Sequence, residues 1–293
     1  MNQTHGQHTP VLVETVVHLL TPCLAGLIVD GTAGQGGHTQ ALLDAGAYHV
    51  LAIDIDPNAV LSLRTRFGEN SRVSVAHASY DNFSTQLAPN VTKRTTGTLL
   101  DLGVSSNQLD DASRGFSFRL DGAIDMRFNP MVGVPASQLV NRMPAHHLEI
   151  LLRDLGDERR ARAIARRIVA QRPLQNTAEL AATVASAFPN RGRAHPATRT
   201  FQALRIATNN ELETVAQGLN TARDLLQGGG RLVVIAFHSL EDRTVKNTFR
   251  EWAREGVGRI LTRKPVRPKQ EETKRNPRSR SARLRAFEME GQI

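Results

Sequence analysis

Three aspartates and one glycine-rich loop carry the chemistry that can be read from this chain. The loop runs Asp30-Gly31-Thr32-Ala33-Gly34-Gln35-Gly36-Gly37-His38 and follows a short apolar run, Leu27-Ile28-Val29. Glycines placed there let the backbone turn sharply and let a ligand come close. Asp54 stands 20 residues beyond Gly34, at the end of a second apolar run. A carboxylate in that place can accept hydrogen bonds from both hydroxyls of a ribose, so the ligand should carry an adenosine-like sugar. Asp101 ends a further run, in Leu99-Leu100-Asp101-Leu102-Gly103-Val104-Ser105-Ser106. Ligands of open α/β sheets bind at the carboxyl ends of the strands, where Asp30, Asp54 and Asp101 would converge. Each alone could be an ordinary helix N-cap, and Asp30 is the most readily structural of the three.

NAD(P) and S-adenosylmethionine both satisfy a ribose-binding aspartate. The glycine spacing is G-x-x-G-x-G-G. That is neither the dinucleotide fingerprint G-x-G-x-x-G nor a Walker A loop, and it favours adenosylmethionine. His238-Ser239 with Asp242 does not make a hydrolase site, because neighbours on an extended segment point to opposite faces and cannot bond each other. The single cysteine, Cys23, excludes an intrachain disulfide and a Cys-rich zinc site. No metal ligand set is assigned.

The elements needed to position these groups follow from periodicity. Strands are expected at 27–29, at His49 to Ile53, at Val73 to Ala76 and at Gly97 to Leu100, with helices at Thr39 to Ala45 and from Pro57. Alternating strand and helix implies a parallel sheet covered on both faces. Between about 106 and 210 the strand signal stops. Leu148 to Leu155 and Glu158 to Gln171 read as two helices separated by Gly156, and Thr177 caps another. A single long helix is expected from Ala197 to Leu226, closed by Gly228-Gly229-Gly230, and a buried strand from Leu232 to Phe237. The expected organisation is one α/β domain, 1–105 plus 210–293, interrupted by a helical insert at 106–209.

The 293 residues carry a formal charge of +9. Residues 243–285 hold fifteen Lys/Arg and four Glu, a net of +11, so the rest of the chain is about −2. Residues 142–205 add twelve Arg against five acidic residues. Basicity gathered in segments points to a polyanionic partner. The stretch Arg263 to Arg285 is expected to be flexible without RNA. No apolar run approaches the ~18 residues of a membrane span, and no secretory signal opens the sequence. A soluble, cytoplasmic protein is expected, with no membrane partner.

Several longer blocks carry a resemblance. They are His8-Thr9-Pro10-Val11-Leu12, the loop from Asp30 to His38, Ala52-Ile53-Asp54-Ile55-Asp56-Pro57 and the block ending in Ser105-Ser106. Further blocks are Arg114-Gly115-Phe116-Ser117-Phe118-Arg119, Asp125-Met126-Arg127, His195 to Arg205, Phe237 to Asp242 and Asn276 to Ser281. On these the chain resembles the bacterial ribosomal RNA small subunit methyltransferase H family, of MraW type. The resemblance implies a Rossmann-like class I methyltransferase fold with an inserted helical domain. It implies S-adenosyl-L-methionine as cofactor and 16S rRNA or the small ribosomal subunit as partner, with methylation at N4 of the cytidine at position 1402. Its cofactor contacts map onto Gly36, Gly37, His38, Asp54, Asp101 and Gln108, and an aromatic contact maps onto Tyr80, where the family more often has Phe; Phe83 lies nearby. Ala123 and Phe128 depart from the family's usual Pro and Met.

A cytosine amine is a poor nucleophile because its lone pair is delocalised into the ring. An acceptor for one amine hydrogen helps the nitrogen become pyramidal, and Asp101 is the candidate by position and resemblance. It could equally serve only the cofactor, and Ser105, Ser106 and Asn107 offer other acceptors. Methylation at carbon 5 would need a cysteine nucleophile, and Cys23 reads as a core residue. The target base must be unstacked before its amine is reached. Phe116 and Phe118, alternating with Arg114 and Arg119, could supply a stacking face and phosphate contacts, or the two rings could lie in the core of the insert. Arg159, Arg160, Arg162, Arg166 and Arg167 are expected on one helix, with Ile164 and Ile168 inward. Two other readings remain: an NAD(P)-dependent oxidoreductase, and a non-catalytic RNA-binding or ribosome-assembly factor. A homodimer is compatible with the sequence.

Overall fold

The computed structural model describes residues 10–86, 95–188 and 195–291. His8 and Thr9 of the first resemblance block lie outside them. The chain divides into two compact units, Met1–Gly103 with Leu212–Ile293, and Val104–Glu211. The expected insert, 106–209, differs from the second unit by two residues at each end.

The first unit begins with α1 (Val13–Leu20), β1 (Leu27–Asp30), α2 (Gly37–Asp44), β2 (His49–Asp54), α3 (Pro57–Phe67), β3 (Val73–His77) and β4 (Thr95–Asp101). Pro57 opens α3 at a position where its missing N–H is not needed, and the Asp56 side chain caps the helix by accepting from Asn58 N–H. The second unit holds α4 (Ser106–Asp110), α5 (Ala136–Arg142), α6 (Ala145–Gly156), α7 (Ala161–Ala170), α8 (Thr177–Ala185) and α9 (Thr198–Asn209). Then follow α10 (Glu211–Leu225), β5 (Leu226–Ala236), α11 (Ser239–Arg254), β6 (Gly258–Ile260), α12 (Gln270–Arg275) and β7 (Arg283–Met289).

The sheet has seven strands in the order β3-β2-β1-β4-β5-β7-β6. β1 to β5 are parallel, and β7 is antiparallel to both β5 and β6. Strand order reverses between β1 and β4, which makes the crevice at their carboxyl ends the expected ligand position. One sheet face, with Ile28, Val50, Ala52, Leu99, Val233 and Ile235, packs with α1, α2 and α3 residues Val16, Leu42, Leu63 and Phe67. Around Leu232, Val234 and Phe287, the other face packs with Val215 and Leu219 of α10 and Val245, Phe249 and Trp252 of α11.

The second unit has its own core, from Phe116, Ile124 and Met126 to Leu148, Leu152, Ile164, Ile168, Leu180, Phe201 and Leu204. Ile164 and Ile168 point inward as the 3.6-residue period requires, while Arg162, Arg166 and Arg167 stay exposed. Arg159 and Arg160 precede the helix instead of lying on it, because α7 starts at Ala161 and Glu158 is buried, accepting from the Arg160 N–H. Asn176, not Thr177, caps α8. Thr177 instead bonds the 120–122 segment, donating to Leu120 O and accepting from Gly122 N–H.

Two expectations are corrected here. The long helix from Ala197 to Leu226 is two helices, broken where Asn210 turns left-handed at φ 50°; asparagine tolerates that conformation better than most residues. The glycines at 228–230 then lie within β5. The segment Arg263 to Arg285 is no flexible tail. It contains α12 and runs into β7, whose Leu284, Ala286 and Phe287 are fully buried. The charge was misleading because Arg285 turns inward to Asp242, at 2.7 Å, while the intervening cations face water. Among the described residues, no helix is long and apolar enough to cross a membrane.

Removing everything after Arg259 should therefore abolish the cooperative unfolding of the protein, and not selectively weaken RNA binding. Phe287→Ala alone should cost about 3–5 kcal/mol. Urea denaturation followed by circular dichroism checks both, and a truncated chain with the full-length midpoint would contradict the packing.

Candidate functional site

Register places the three aspartates. Asp30 pairs with Ala52 on one side and with Leu99 on the other. Asp54 and Asp101 each lie two residues beyond those partners, on the same sheet face, because side chains alternate with period two. Asp30 is thereby fully buried, and the other two stand at the rim.

Each carboxylate is already fixed by the fold. Asp54 Oδ2 accepts from Gly34 N–H and Oδ1 from Asp56 N–H, both at 2.8 Å. Burial pushes the Asp54 carboxyl up to about 6, against the opposing pull of those two N–H groups. Asp30 Oδ2 accepts from Thr39 Oγ1 at 2.7 Å, and burial raises its carboxyl as well. Asp101 is held through its backbone, where its N–H donates to Thr32 Oγ1 at 2.6 Å. Its Oδ2 lies 3.4 Å from His38 Nε2. The loop itself is stitched to both neighbouring strands, by Gly31 N–H to Leu99 O and Ala33 N–H to Ile53 O.

The glycines divide by role. Gly36 has φ 76°, and a Cβ there would overlap the ring of Phe67. A Cβ on Gly37 would lie 2.8 Å from Pro10. Both are needed for close packing of the loop on the protein. Gly34 also has positive φ, 54°, but a Cβ there would meet nothing within 4 Å. Its open side, next to the Asp54 carboxylate, is where a ligand could approach. Tyr80 borders the same loop, since its Cβ would be 3.1 Å from a Cβ on Gly31. Its ring lies over Gly218 of α10, where a side chain would collide with it.

The structure tests the fit of an adenosine-bearing ligand at this place. Among the described residues, Oδ1 of the rim residue Asp101 has no hydrogen-bond partner. Buried polar atoms are nearly always satisfied, so an oxygen left over beside an open, glycine-lined loop fits a ligand that supplies donors. Cys23 is buried against the sheet in a short 3-10 turn, and burial raises its thiol. It is a core residue.

The remaining predicted residues belong to the second unit. Gln108 sits in the first turn of α4. It forms a capping box with Ser105, donating its N–H to Ser105 Oγ and accepting from Ser105 N–H. Arg114 is buried; its guanidinium donates to Arg127 O and Phe128 O and lies 5.7 Å from the Phe116 ring centroid. Phe116 is buried too, stacked on Phe128. The expectation that Arg114 and Phe116 present a stacking face and a phosphate contact is thus corrected: both build the turn at 126–128. That turn needs them, because Met126 has φ 62° and the segment is pinned again by Asn209, which accepts from Phe128 N–H and donates to Met126 O. Phe118 is half-buried, stacked on the exposed His195 at 4.4 Å and edge-on to Phe201. Arg119 is exposed.

Sequence reasoning missed the pairing of His38 with Asp101, for which the only signal was their common place at the carboxyl end of the sheet. It also missed Glu272 of α12, which accepts from the Leu12 N–H at 2.7 Å.

The glycine roles make a direct prediction. Gly36→Ala combines a left-handed φ with a clash and should cost at least about 1–3 kcal/mol, whereas Gly34→Ala should cost about 1 kcal/mol from conformation alone. Denaturant midpoints of the two variants check the order; equal losses would contradict it.

The whole chain has counterparts among known proteins. The family model described as the MraW methylase family matches residues 5–290. The ribosomal RNA small subunit methyltransferase H of Syntrophobacter fumaroxidans is 45% identical over 309 residues, covering 97% of this chain and 97% of that one. Its namesake from Thermomicrobium roseum is 48% identical over 303 residues, covering 96% of this chain and 93% of that one. The crystal structure of an rRNA methylase from Streptococcus thermophilus aligns at a TM-score of 0.47 and 11% identity, covering 95% of this chain and 96% of that one. With the family pattern running through both units and almost end to end, the chain belongs to the MraW methylase family.

Proposed function

We propose that this protein transfers a methyl group from S-adenosyl-L-methionine to N4 of a cytidine in 16S rRNA, at position 1402, either on the RNA or on the small ribosomal subunit. The observation that carries this reading is the convergence of Asp54, Asp101 and the open side of Gly34 at the β1–β4 switch point, in a chain of the MraW methylase family.

When bound, the cofactor supplies an electrophilic methyl group on a sulfonium. The protein's own groups do the rest. Asp54 uses one lone pair of each oxygen to hold Gly34 and Asp56 and keeps the others for ribose hydroxyls. Gly36, Gly37 and His38 form the turn into α2 that shapes the loop, and Tyr80 is the further cofactor contact we assign in this unit. Asp101 offers Oδ1 to the amine hydrogen, which favours pyramidal nitrogen and attack along its lone pair. Cys23, buried before β1, takes no part, in keeping with reaction at nitrogen.

For RNA, eight exposed cations of the first unit lie within one folded segment: Arg263, Lys264, Arg267, Lys269, Lys274, Arg275, Arg278 and Arg280. In the second unit, taken by itself, Arg119 and the exposed arginines of α7 are the candidate phosphate contacts, and Phe118 is the remaining candidate for stacking. Phosphate contacts of this kind set position and affinity. We place the protein in the cytoplasm with its substrate.

Incubation of the protein with labelled adenosylmethionine and immature small-subunit particles, followed by mass-spectrometric mapping, should yield N4-methylcytidine at one site. Label at carbon 5, or none, would sink the assignment. Asp54→Ala should weaken cofactor binding roughly ten- to a hundredfold, from the loss of charge-assisted hydrogen bonds worth about 1.5–3 kcal/mol each. Because the carboxylate is the binding form, affinity of the wild type should hold above about pH 6 and fall below it as Asp54 takes a proton. Calorimetry across that range checks both.

A further inference from the structure

A histidine buried among carboxylates has a job that its backbone position does not explain. His38 lies in the first turn of α2 with 5% of its surface exposed. Three acidic side chains from three elements act on its ring electrostatically. Asp101 Oδ2 of β4 is 3.4 Å from Nε2, an ion-pair distance, and neither ring nitrogen has a hydrogen-bond partner among the described residues. Asp30 of β1 is fully buried, with Oδ2 bound to Thr39 Oγ1 and Oδ1 without a partner among the described residues. Glu272 of α12 adds its charge while accepting from Leu12 N–H. Burial disfavours a charged imidazole here, but Asp101, Asp30 and Glu272 outweigh it, and the ring is shifted toward its protonated form.

The strand register gives this partner a role. Asp30 and Asp101 end adjacent strands on one sheet face. Asp30 is fully buried and Asp101 stands at the rim of the neighbouring strand, and a cation beside a carboxylate favours its ionised form. A protonated Asp101 would be a donor toward the amine, the wrong partner for nitrogen attack.

We propose that His38 is the positioning residue of the methyl transfer: its ring pairs by charge with Oδ2 of Asp101 and leaves Oδ1 as the acceptor for the amine hydrogen. This rests on the methyltransferase reading above. The step balances. The nitrogen–methyl bond forms as the methyl–sulfur bond breaks, with its electron pair left on sulfur. One amine proton passes to Asp101 Oδ1 and from there to water, and His38 keeps its proton throughout.

The first test uses no catalysis. Side-chain nitrogen NMR of the full chain should show His38 titrating above the ordinary histidine value of about 6.5. The midpoint should fall in Asp101→Asn and in Asp30→Asn. A midpoint at or below the ordinary value, or one unmoved by Asp101→Asn, overturns the pairing. The second test is kinetic. His38→Gln should lower kcat by roughly a hundredfold or more, in the range of lost acid–base assistance. The acid limb of its kcat–pH profile should move to higher pH, as the cation beside Asp101 is lost. Adding Asp30→Asn to His38→Gln should recover at least tenfold of kcat. A merely structural histidine would lower folding stability without moving the pH profile and without rescue by Asp30→Asn, and that result overturns the proposal. Wild-type protein that transfers no methyl to nitrogen would instead defeat the underlying reading, while the NMR result would still decide the pairing.

Discussion

Parallel pairing from β1 through β5 is the constraint on which everything else rests. All five strands run the same way, so their carboxyl ends collect on one edge and so do the residues placed there. Register then sorts these residues by depth. A two-residue offset sends Asp30 into the interior and leaves Asp54 and Asp101 at the rim. Burying acidic groups is costly unless they are bonded or neutralised. The fold meets that cost with Thr39 for Asp30 and with the Gly34 and Asp56 N–H groups for Asp54. The loop after β1 is therefore not a passive connection. It is held in shape by the same carboxylate that would meet the ribose.

The second unit solves a different problem with similar means. It has little regular structure between α4 and α5, yet residues 114–128 are held firmly. A buried guanidinium, an asparagine side chain and a bidentate Asp125–Arg127 pair replace the missing backbone ladder. Burial alone would raise the Asp125 carboxyl, but Arg127 outweighs it and holds the group below its usual range. Such side chains stabilise by satisfying carbonyls that would otherwise be buried unpaired.

Much of this was legible in the residues. The β1, β2 and β4 strand ends were marked by apolar runs closing in aspartate, and the spacing from Gly34 to Asp54 matches the hydrogen bond that the Gly34 N–H donates to that carboxylate. What escaped was set by long-range contacts. Arg114 carries a surface-like side chain, and only the carbonyls of Arg127 and Phe128 make it internal. The break at Asn210 is one residue's left turn inside an otherwise continuous helical pattern. β7 was hidden by its charge, although Arg283-Leu284-Arg285-Ala286 alternates as a strand should. Its arginines are absorbed by Asp242 across the structure, which no local window contains.

The place of β7 has a consequence for how the molecule comes into being. It is inserted between β5 and β6, so β5 lacks one of its two partners until a stretch some fifty residues further along has been made. During synthesis the parallel half therefore waits with an open flank that ends in Val233, Val234 and Ile235. Such an edge is prone to join a neighbouring chain. Chaperone dependence should accordingly be greatest while the ribosome is translating the basic segment that separates the two strands.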